Sequence, residues 1–166
     1  MIKKIKILSV LLVCLFLSKP AFACDIKKII DKNFAALKTK YKVNSELYSN
    51  KLYQTFIRAE SLNCSKLPAE NAELKFVNGK LAQIIFEQEN ADKLLLDFAI
   101  NNFGKFNNPT NEKKDMKTNY ADFSDNKKII VTYRNSYVAD NLLKETLIIT
   151  SKSLAAELNE FSKEDE

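Results

Sequence analysis

The sequence predicts an α+β domain: a mainly antiparallel sheet of about five to six strands with an N-terminal helix, a buried central helix and a C-terminal helix. Two observations carry this prediction. Alternating apolar runs meet at Asn78-Gly79, a dipeptide typical of tight β-hairpin turns. The helical segments are not interleaved one per strand, which favours α+β over a doubly wound parallel sheet.

The first part of the chain, residues 1–23, has the pattern of a cleaved signal peptide. A cationic start precedes the apolar stretch Ile7–Leu17, which is too short to cross a bilayer as a helix. Ala21 and Ala23 supply the small residues of a cleavage site. Cleavage leaves residues 24–166 as a single domain with a short acidic C-terminal tail, and predicts a periplasmic protein without stable membrane insertion.

Cysteine usage fits export. Cys14 leaves with the signal peptide, so Cys24 and Cys64 remain, and in an oxidising compartment they are expected to form a disulfide. A bacterial lipoprotein signal also ends just before a cysteine, which would make Cys24 a lipid anchor. The bulky Phe22 and the missing leucine favour the soluble exported form.

The basic character of the chain largely belongs to its signal peptide. The whole sequence has 26 basic and 21 acidic residues. Four of the lysines precede residue 24, so 22 basic residues remain against 21 acidic ones. A nearly neutral exported domain gives no reason to expect a nucleic-acid partner.

The segment before the hairpin is predicted to contain a helix and a strand. Asp25–Tyr41 places apolar residues at helical spacing, with lysines on the other side. Asn50–Ser61 is rich in tyrosine, threonine, phenylalanine and isoleucine, which favours a strand. A second helix from Ser45 is the alternative, because Tyr48, Leu52 and Phe56 are spaced four apart.

The hairpin itself has a predicted register. With Asn78-Gly79 at its turn, Phe76 is expected opposite Leu81, and Leu74 opposite Gln83. Leu74, Phe76, Leu81 and Ile85 would then share one face of the sheet, and Ile84 and Phe86 the other.

Asn90 is the predicted N-cap of the central helix, which is apolar around most of its circumference and ends at Gly104.

The last third of the chain predicts about three strands and a helix. The strands are expected at Thr118–Phe123, Lys127–Arg134 and Glu145–Thr150, with Asn135–Leu143 as the connection between the last two. Ser153 is the expected cap of a helix that runs to about Phe161.

The sequence predicts no enzyme, no cofactor and no metal site. The chain has no histidine, which removes serine–histidine and cysteine–histidine catalytic pairs and imidazole metal ligands. The adjacent pairs Ser65-Lys66 and Ser151-Lys152 do not have the spacing of a lysine-assisted serine nucleophile. Glu87 and Glu89 are read as acids of a solvated turn rather than as a glycosidase pair.

A binding role fits the remaining features. Tyr120, Arg134 and Tyr137 are the candidate protein-binding residues, because aromatic residues and arginine are enriched at interface hot spots. The leading hypothesis is an inhibitor or immunity-type protein that binds an envelope-targeted enzyme or toxin in the periplasm. The alternatives are a structural or adaptor component of the envelope, anchored through Cys24, and a small-ligand carrier with a pocket near Ile84, Phe86 and Phe98.

Overall fold

The structure, a computed structural model, describes residues 24–41, 46–47, 52–64, 66–90, 92–104, 118–122, 128–139 and 142–164. In this part of the chain, the strands are β1 (Glu46–Leu47), β2 (Leu52–Arg58), β3 (Asn71–Val77), β4 (Lys80–Asn90), β5 (Thr118–Asp122), β6 (Ile129–Ala139) and β7 (Leu142–Ser151). They form one antiparallel sheet with the strand order β1-β2-β3-β4-β7-β6-β5. Five long strands thus lie between two shorter edge strands, and the predicted α+β class is confirmed.

The helices cover the two faces of the sheet unequally. They are α1 (Ile26–Ile29), α2 (Phe34–Tyr41), α3 (Leu94–Phe103) and α4 (Ala155–Glu164), and a 3-10 helix spans Ala59–Leu62. The inner face packs against α1, α2 and α3 and contains the main core. On the outer face, α4 covers only the end near the β3–β4 turn, where Leu154 and Leu158 pack against Val77 and Ala82.

The β3–β4 hairpin is confirmed, but its predicted register is wrong beyond the first pair. Asn78 and Gly79 both have positive φ, as a type I′ turn requires, and Phe76 lies opposite Leu81. A β-bulge at Ala82 then places Leu74 opposite Ile84 instead of Gln83. Ile84 and Phe86 therefore lie in the core on the inner face, whereas Ile85 points to the outer face.

The predicted N-terminal helix is interrupted. Asp31 has a φ of 66°, and the chain leaves the helical path between α1 and α2. Here the backbone pairs with the hairpin turn: Asp31 N–H donates to the carbonyl of Leu81 (3.0 Å), and Leu81 N–H to that of Lys32 (2.9 Å). These tertiary hydrogen bonds outweigh the local helical preference of the sequence.

The segment that the sequence left open as strand or helix is a strand: β2 pairs along its length with β3. The predicted connection Asn135–Leu143 is wrong, because β6 continues to Ala139 and β7 begins at Leu142.

The C-terminal helix begins at Ala155, two residues after the predicted cap. The Ser153 hydroxyl instead donates to Asp31 Oδ1 (3.0 Å).

Asn90 is not the cap of the central helix. It is the last residue of β4, and the N-cap position of α3 is Lys93, whose side chain makes no capping hydrogen bond. The Glu145 carboxylate, from the middle of the sheet, takes that role. It accepts from the N–H groups of Leu95 (3.1 Å) and Leu96 (3.2 Å), two of the helix donors that lack intrahelical partners.

Glu145 is fully buried, with 0% exposure, and each of its oxygens has a further donor. The Tyr133 hydroxyl donates to Oε1 (2.9 Å), and Gln88 Nε2 donates to Oε2. Asn135 Nδ2 in turn donates to the Tyr133 hydroxyl (3.0 Å). Burial raises the pKa of Tyr133, which keeps its proton available to the carboxylate. The network stabilises a buried charge and joins α3 to β4, β6 and β7.

The start of the domain is fixed by a covalent bond and by a charged cluster. Cys24 and Cys64 form the predicted disulfide. The neighbouring Asp25 carboxylate accepts from Lys40 Nζ (2.9 Å), Asn63 Nδ2 (3.3 Å) and Lys28 Nζ (3.4 Å). These contacts, with Lys40 the strongest, hold the pKa of Asp25 below its ordinary value.

We expect Glu145→Ala to lower the free energy of unfolding by about 3 kcal/mol or more, because it leaves buried N–H and hydroxyl donors without an acceptor. Glu145→Gln keeps the shape and one acceptor oxygen, so its effect should be smaller. Urea unfolding measures both variants, with Glu160→Ala as the control because Glu160 is an exposed acid of α4. Equal stability of Glu145→Ala and Glu160→Ala would contradict the capping role.

Asp25 should make stability depend on pH in the acid range. Because its folded pKa is lowered, its ionised form stabilises the fold at neutral pH. That contribution should be constant above the unfolded pKa of about 4 and disappear as pH falls through the folded pKa. Urea unfolding of wild type and Asp25→Asn, both with the disulfide intact, should give free energies that converge below about pH 4. Parallel curves over the whole range would show that the Lys40 pair contributes nothing.

Candidate functional site

The outer face of the sheet is the main surface that the helices leave open in the described part of the chain. Side chains alternate between the two faces of a strand, so every second residue of β2, β3, β4, β7 and β6 points outward. Strand pairing aligns one outward row across five strands. In order, this row contains Phe56, Glu73, Ile85, Ile148 and Thr132. We call it the Phe56 row.

Phe56 is the most exposed large apolar residue among those the structure describes, with 65% of its surface accessible. It sits in the middle of β2, between Thr55 and Ile57, which are both buried. The alternation of side chains along β2 directs residue 56 outward, where a polar residue would also be compatible with the strand. The aromatic ring of Phe56 is therefore accessible to a partner, and aromatic residues are enriched at interface hot spots.

A groove of ≈ 520 Å³ runs beside Phe56, which forms one of its walls. Ile85 and Pro68 add apolar surface to it, and Asn71 adds an amide. The charged residues that line it are all glutamates: Glu70, Glu73, Glu87 and Glu89. This volume is in the range of sites that hold a small ligand or a few side chains of a partner protein.

Basic residues next to the groove pair with three of these acids. Arg58 lies 2.6 Å from Glu70, and Lys144 lies 3.2 Å from Glu87, in pairs whose members are all at least 40% exposed. Lys75 Nζ is 3.4 Å from Glu73 Oε1, an ion-pair distance. That oxygen is nevertheless shielded from solvent and makes no hydrogen bond in the described part of the structure.

The disulfide supports one side of the groove. Cys64 begins the stretch that carries Pro68 and Glu70, and Asn63, just before it, is held by Asp25 (3.3 Å). The far end of this stretch is fixed by a hydrogen bond from Ala59 N–H to the carbonyl of Glu70 (2.9 Å). The anchored N-terminus and the groove are therefore mechanically connected.

Of the three predicted binding residues, Arg134 is exposed on the outer face. It lies opposite Thr146 of β7, which in turn lies opposite Glu87 of the groove. The backbones of Arg134 and Glu87 are therefore two strand spacings apart, roughly 10 Å in total. Tyr120 is the register partner of Arg134, and Tyr137 that of Leu143. The side chains of both tyrosines lie outside the described part of the structure, and their roles stay predictions.

The catalytic candidates of the sequence lie in different places: Glu87 and Glu89 line the groove, and Ser151 lies beside Asp31. The buried Ser151 hydroxyl donates to Asp31, and its neighbour Ser153 lies 2.9 Å away, in an arrangement of hydroxyls around one carboxylate. Ser65 lies outside the described residues. Among the residues that are described, no group of three or more cysteines, aspartates or glutamates could hold a metal ion. No helix in the described ranges is long and apolar enough to cross a membrane.

Sequence reasoning missed the groove. Glu87 and Glu89 are strand residues on one face, not turn residues, and alternation along β4 could have revealed this. Phe56 was noted only for its four-residue spacing to Leu52, which also fits a helix. The contribution of Pro68 and Glu70 depends on the disulfide and on the path of the chain after it, which no local pattern specifies.

Comparisons with protein-family models, with curated proteins and with solved structures find no match.

We expect Phe56→Thr to change the free energy of unfolding by about 0.5 kcal/mol or less, since little is buried and threonine suits a strand. Phe76→Ala, on the inner face of the adjacent strand and 0% exposed, should cost about 3–5 kcal/mol. Chemical denaturation of both variants checks the contrast. A large loss of stability in Phe56→Thr would make Phe56 a structural residue and remove it from the site.

Proposed function

We propose that this chain is an exported, non-catalytic protein that binds another protein through the outer face of its sheet. Its class is an inhibitor or immunity-type protein that acts on an envelope-targeted enzyme or toxin. The observation that carries the proposal is the exposure of Phe56, 65%, beside a groove on a sheet face that α4 covers only at one end. Aromatic anchors of this kind dominate the binding energy of many protein interfaces.

Export to the periplasm has two supports. One is the signal-peptide pattern of residues 1–23. The other is the disulfide, because such bonds persist in oxidising compartments and are rare in the cytosol. The sulfur of Cys24 is bonded to Cys64, so it is not available for the thioether of a lipid anchor. This favours the soluble form over the lipid-anchored adaptor.

The absence of catalysis is proposed from the side chains at the groove. Its polar lining consists of carboxylates and amides, and the chain has no histidine to act beside them. The serines near Asp31 donate hydrogen bonds to that carboxylate, and none of these residues lines the groove. A small-ligand carrier gains no support, because Ile84, Phe86 and Phe98 are all buried in the same core cluster.

A genetic challenge tests the proposal. We expect deletion of the gene to sensitise the source cells to externally added lysozyme or to neighbouring toxin-secreting cells. A wild-type copy should restore survival, and a Phe56→Thr copy should not. The matched control is Val138→Thr, which removes an apolar side chain of similar exposure, 55%, outside the groove lining.

Equal periplasmic levels of the three proteins, measured by immunoblot, are needed for this comparison. If deletion causes no sensitivity to either challenge, the inhibitor or immunity class is wrong. If Phe56→Thr restores survival as well as wild type does, the outer face is not the binding surface.

A further inference from the structure

We infer that the partner places an arginine-bearing basic segment in the groove beside Phe56. This inference rests on the proposed function, because it specifies the chemistry of the protein that the outer face would bind. It depends on three features of the groove: its apolar wall, the sign of the charges that line it, and the way those charges are paired within the chain.

The wall of the groove offers an aromatic face. Phe56 is exposed, and Ile85 lies two strands away in the same row, separated from it by Glu73. An aliphatic side chain could use this apolar surface, but so could the planar guanidinium of arginine, which stacks on aromatic rings. A stacked arginine would also keep its N–H groups directed toward acceptors at the ring edge.

Those acceptors are carboxylates. Glu73 is the register partner of Phe56 on β3, and Glu87 follows Ile85 by two residues on the same face of β4. The groove lining includes four glutamates and neither lysine nor arginine. Arginine presents its donors in a fork that matches a carboxylate, so it would satisfy both the aromatic and the acidic part of the site.

The pairing within the chain leaves the acids available. Both members of the Arg58–Glu70 ion pair are exposed, and so are both members of the Lys144–Glu87 pair. Exposed ion pairs contribute little net stability. A partner's arginine can therefore exchange with them at small cost. Glu73 is less available, since its Oε1 is shielded from solvent and lies 3.4 Å from Lys75 Nζ. The exposed Glu70 and Glu87 are therefore the acids that a guanidinium would reach first.

The same charges argue against other occupants. An acidic segment or a nucleic-acid backbone would meet four carboxylates at short range. A second copy of this chain, docked by two-fold symmetry, would bring each groove against an identical one, and the glutamates would repel one another. The charge complementarity of the groove thus selects a basic protein segment.

A pair of peptides tests this directly. The probe is an acetylated, amidated Gly-Arg-Leu-Arg-Gly peptide, and its control replaces both arginines with citrulline, which keeps the shape and removes the charge. Each is titrated into the isotopically labelled protein, residues 24–166 with its disulfide, and amide shifts are followed by NMR. We expect saturable shifts at Phe56, Glu73 and Ile85 with the arginine peptide, and affinity at least about tenfold weaker with citrulline.

Variants of the protein complete the test. Glu73→Gln with Glu87→Gln should weaken arginine-peptide binding about tenfold, and raised salt should weaken it in wild type, since exposed charges are screened. Glu160→Gln, which removes an exposed acid of α4, should bind as wild type does. Phe56→Thr should also weaken binding, and since that residue is exposed, it serves even if the double variant folds poorly.

Three outcomes would overturn the inference. They are equal affinity for the arginine and citrulline peptides, shifts that map away from the groove, and wild-type affinity in both groove variants. If one of these outcomes occurs but the Phe56→Thr copy still fails to protect cells, the proposed function is retained and the partner has a different chemistry. Full protection by Phe56→Thr would remove the proposed function itself.

Discussion

The carboxylate of Glu145 is the interaction on which the arrangement of sheet and helices depends. It lies in the middle of β7 with no exposure to solvent, where an ionised group is tolerated only when donors surround it. The donors come from the start of α3, from Tyr133 of β6 and from Gln88 of β4. One side chain thereby fixes where the central helix begins and how it lies across three adjacent strands. A local cap at position 93 could accept from the same helix N–H groups, but it would not link them to the strands as Glu145 does.

This arrangement explains why the two faces of the sheet differ. The helices α1, α2 and α3 are all held on the inner face, by the disulfide, by the pairing of Asp31 with the hairpin and by Glu145. Among the described residues, the outer face is covered by one helix, α4, near the hairpin turn. The rest of that face carries charged, polar and isoleucine side chains, Ile85 and Ile148 among them, and Phe56 is its most exposed apolar residue. The position of the open surface follows from which elements are tied to the opposite side.

The sequence specifies local features of this fold well and long-range ones poorly. Asn78-Gly79 located the hairpin because its positive φ angles are a property of those two residues. The bulge at Ala82 has no comparable signature in the sequence. Its one extra residue places Ile84 on the inner face and Ile85 on the outer face, the reverse of the prediction. The cap of α3 was assigned to Asn90 because a capping pattern relates only residues that are close in sequence. The actual acceptor, Glu145, is 50 residues away from Leu95. The groove combines residues of β2, β3, β4 and the stretch after Cys64, so its acidic lining became visible only when the strands were aligned.

The bond between Cys24 and Cys64 has a consequence for the lifetime of the protein. Cleavage after Ala23 would make Cys24 the first residue of the exported chain, already joined to the body of the domain. Asp25 N–H is also hydrogen-bonded to the carbonyl of Leu62 (3.2 Å), so the second residue is held as well. Exopeptidases that remove residues from the amino end need a free, extended terminus, and this chain would present none. Proteolysis of such a chain would then have to start at the carboxyl end, at an internal bond, or after reduction of the disulfide.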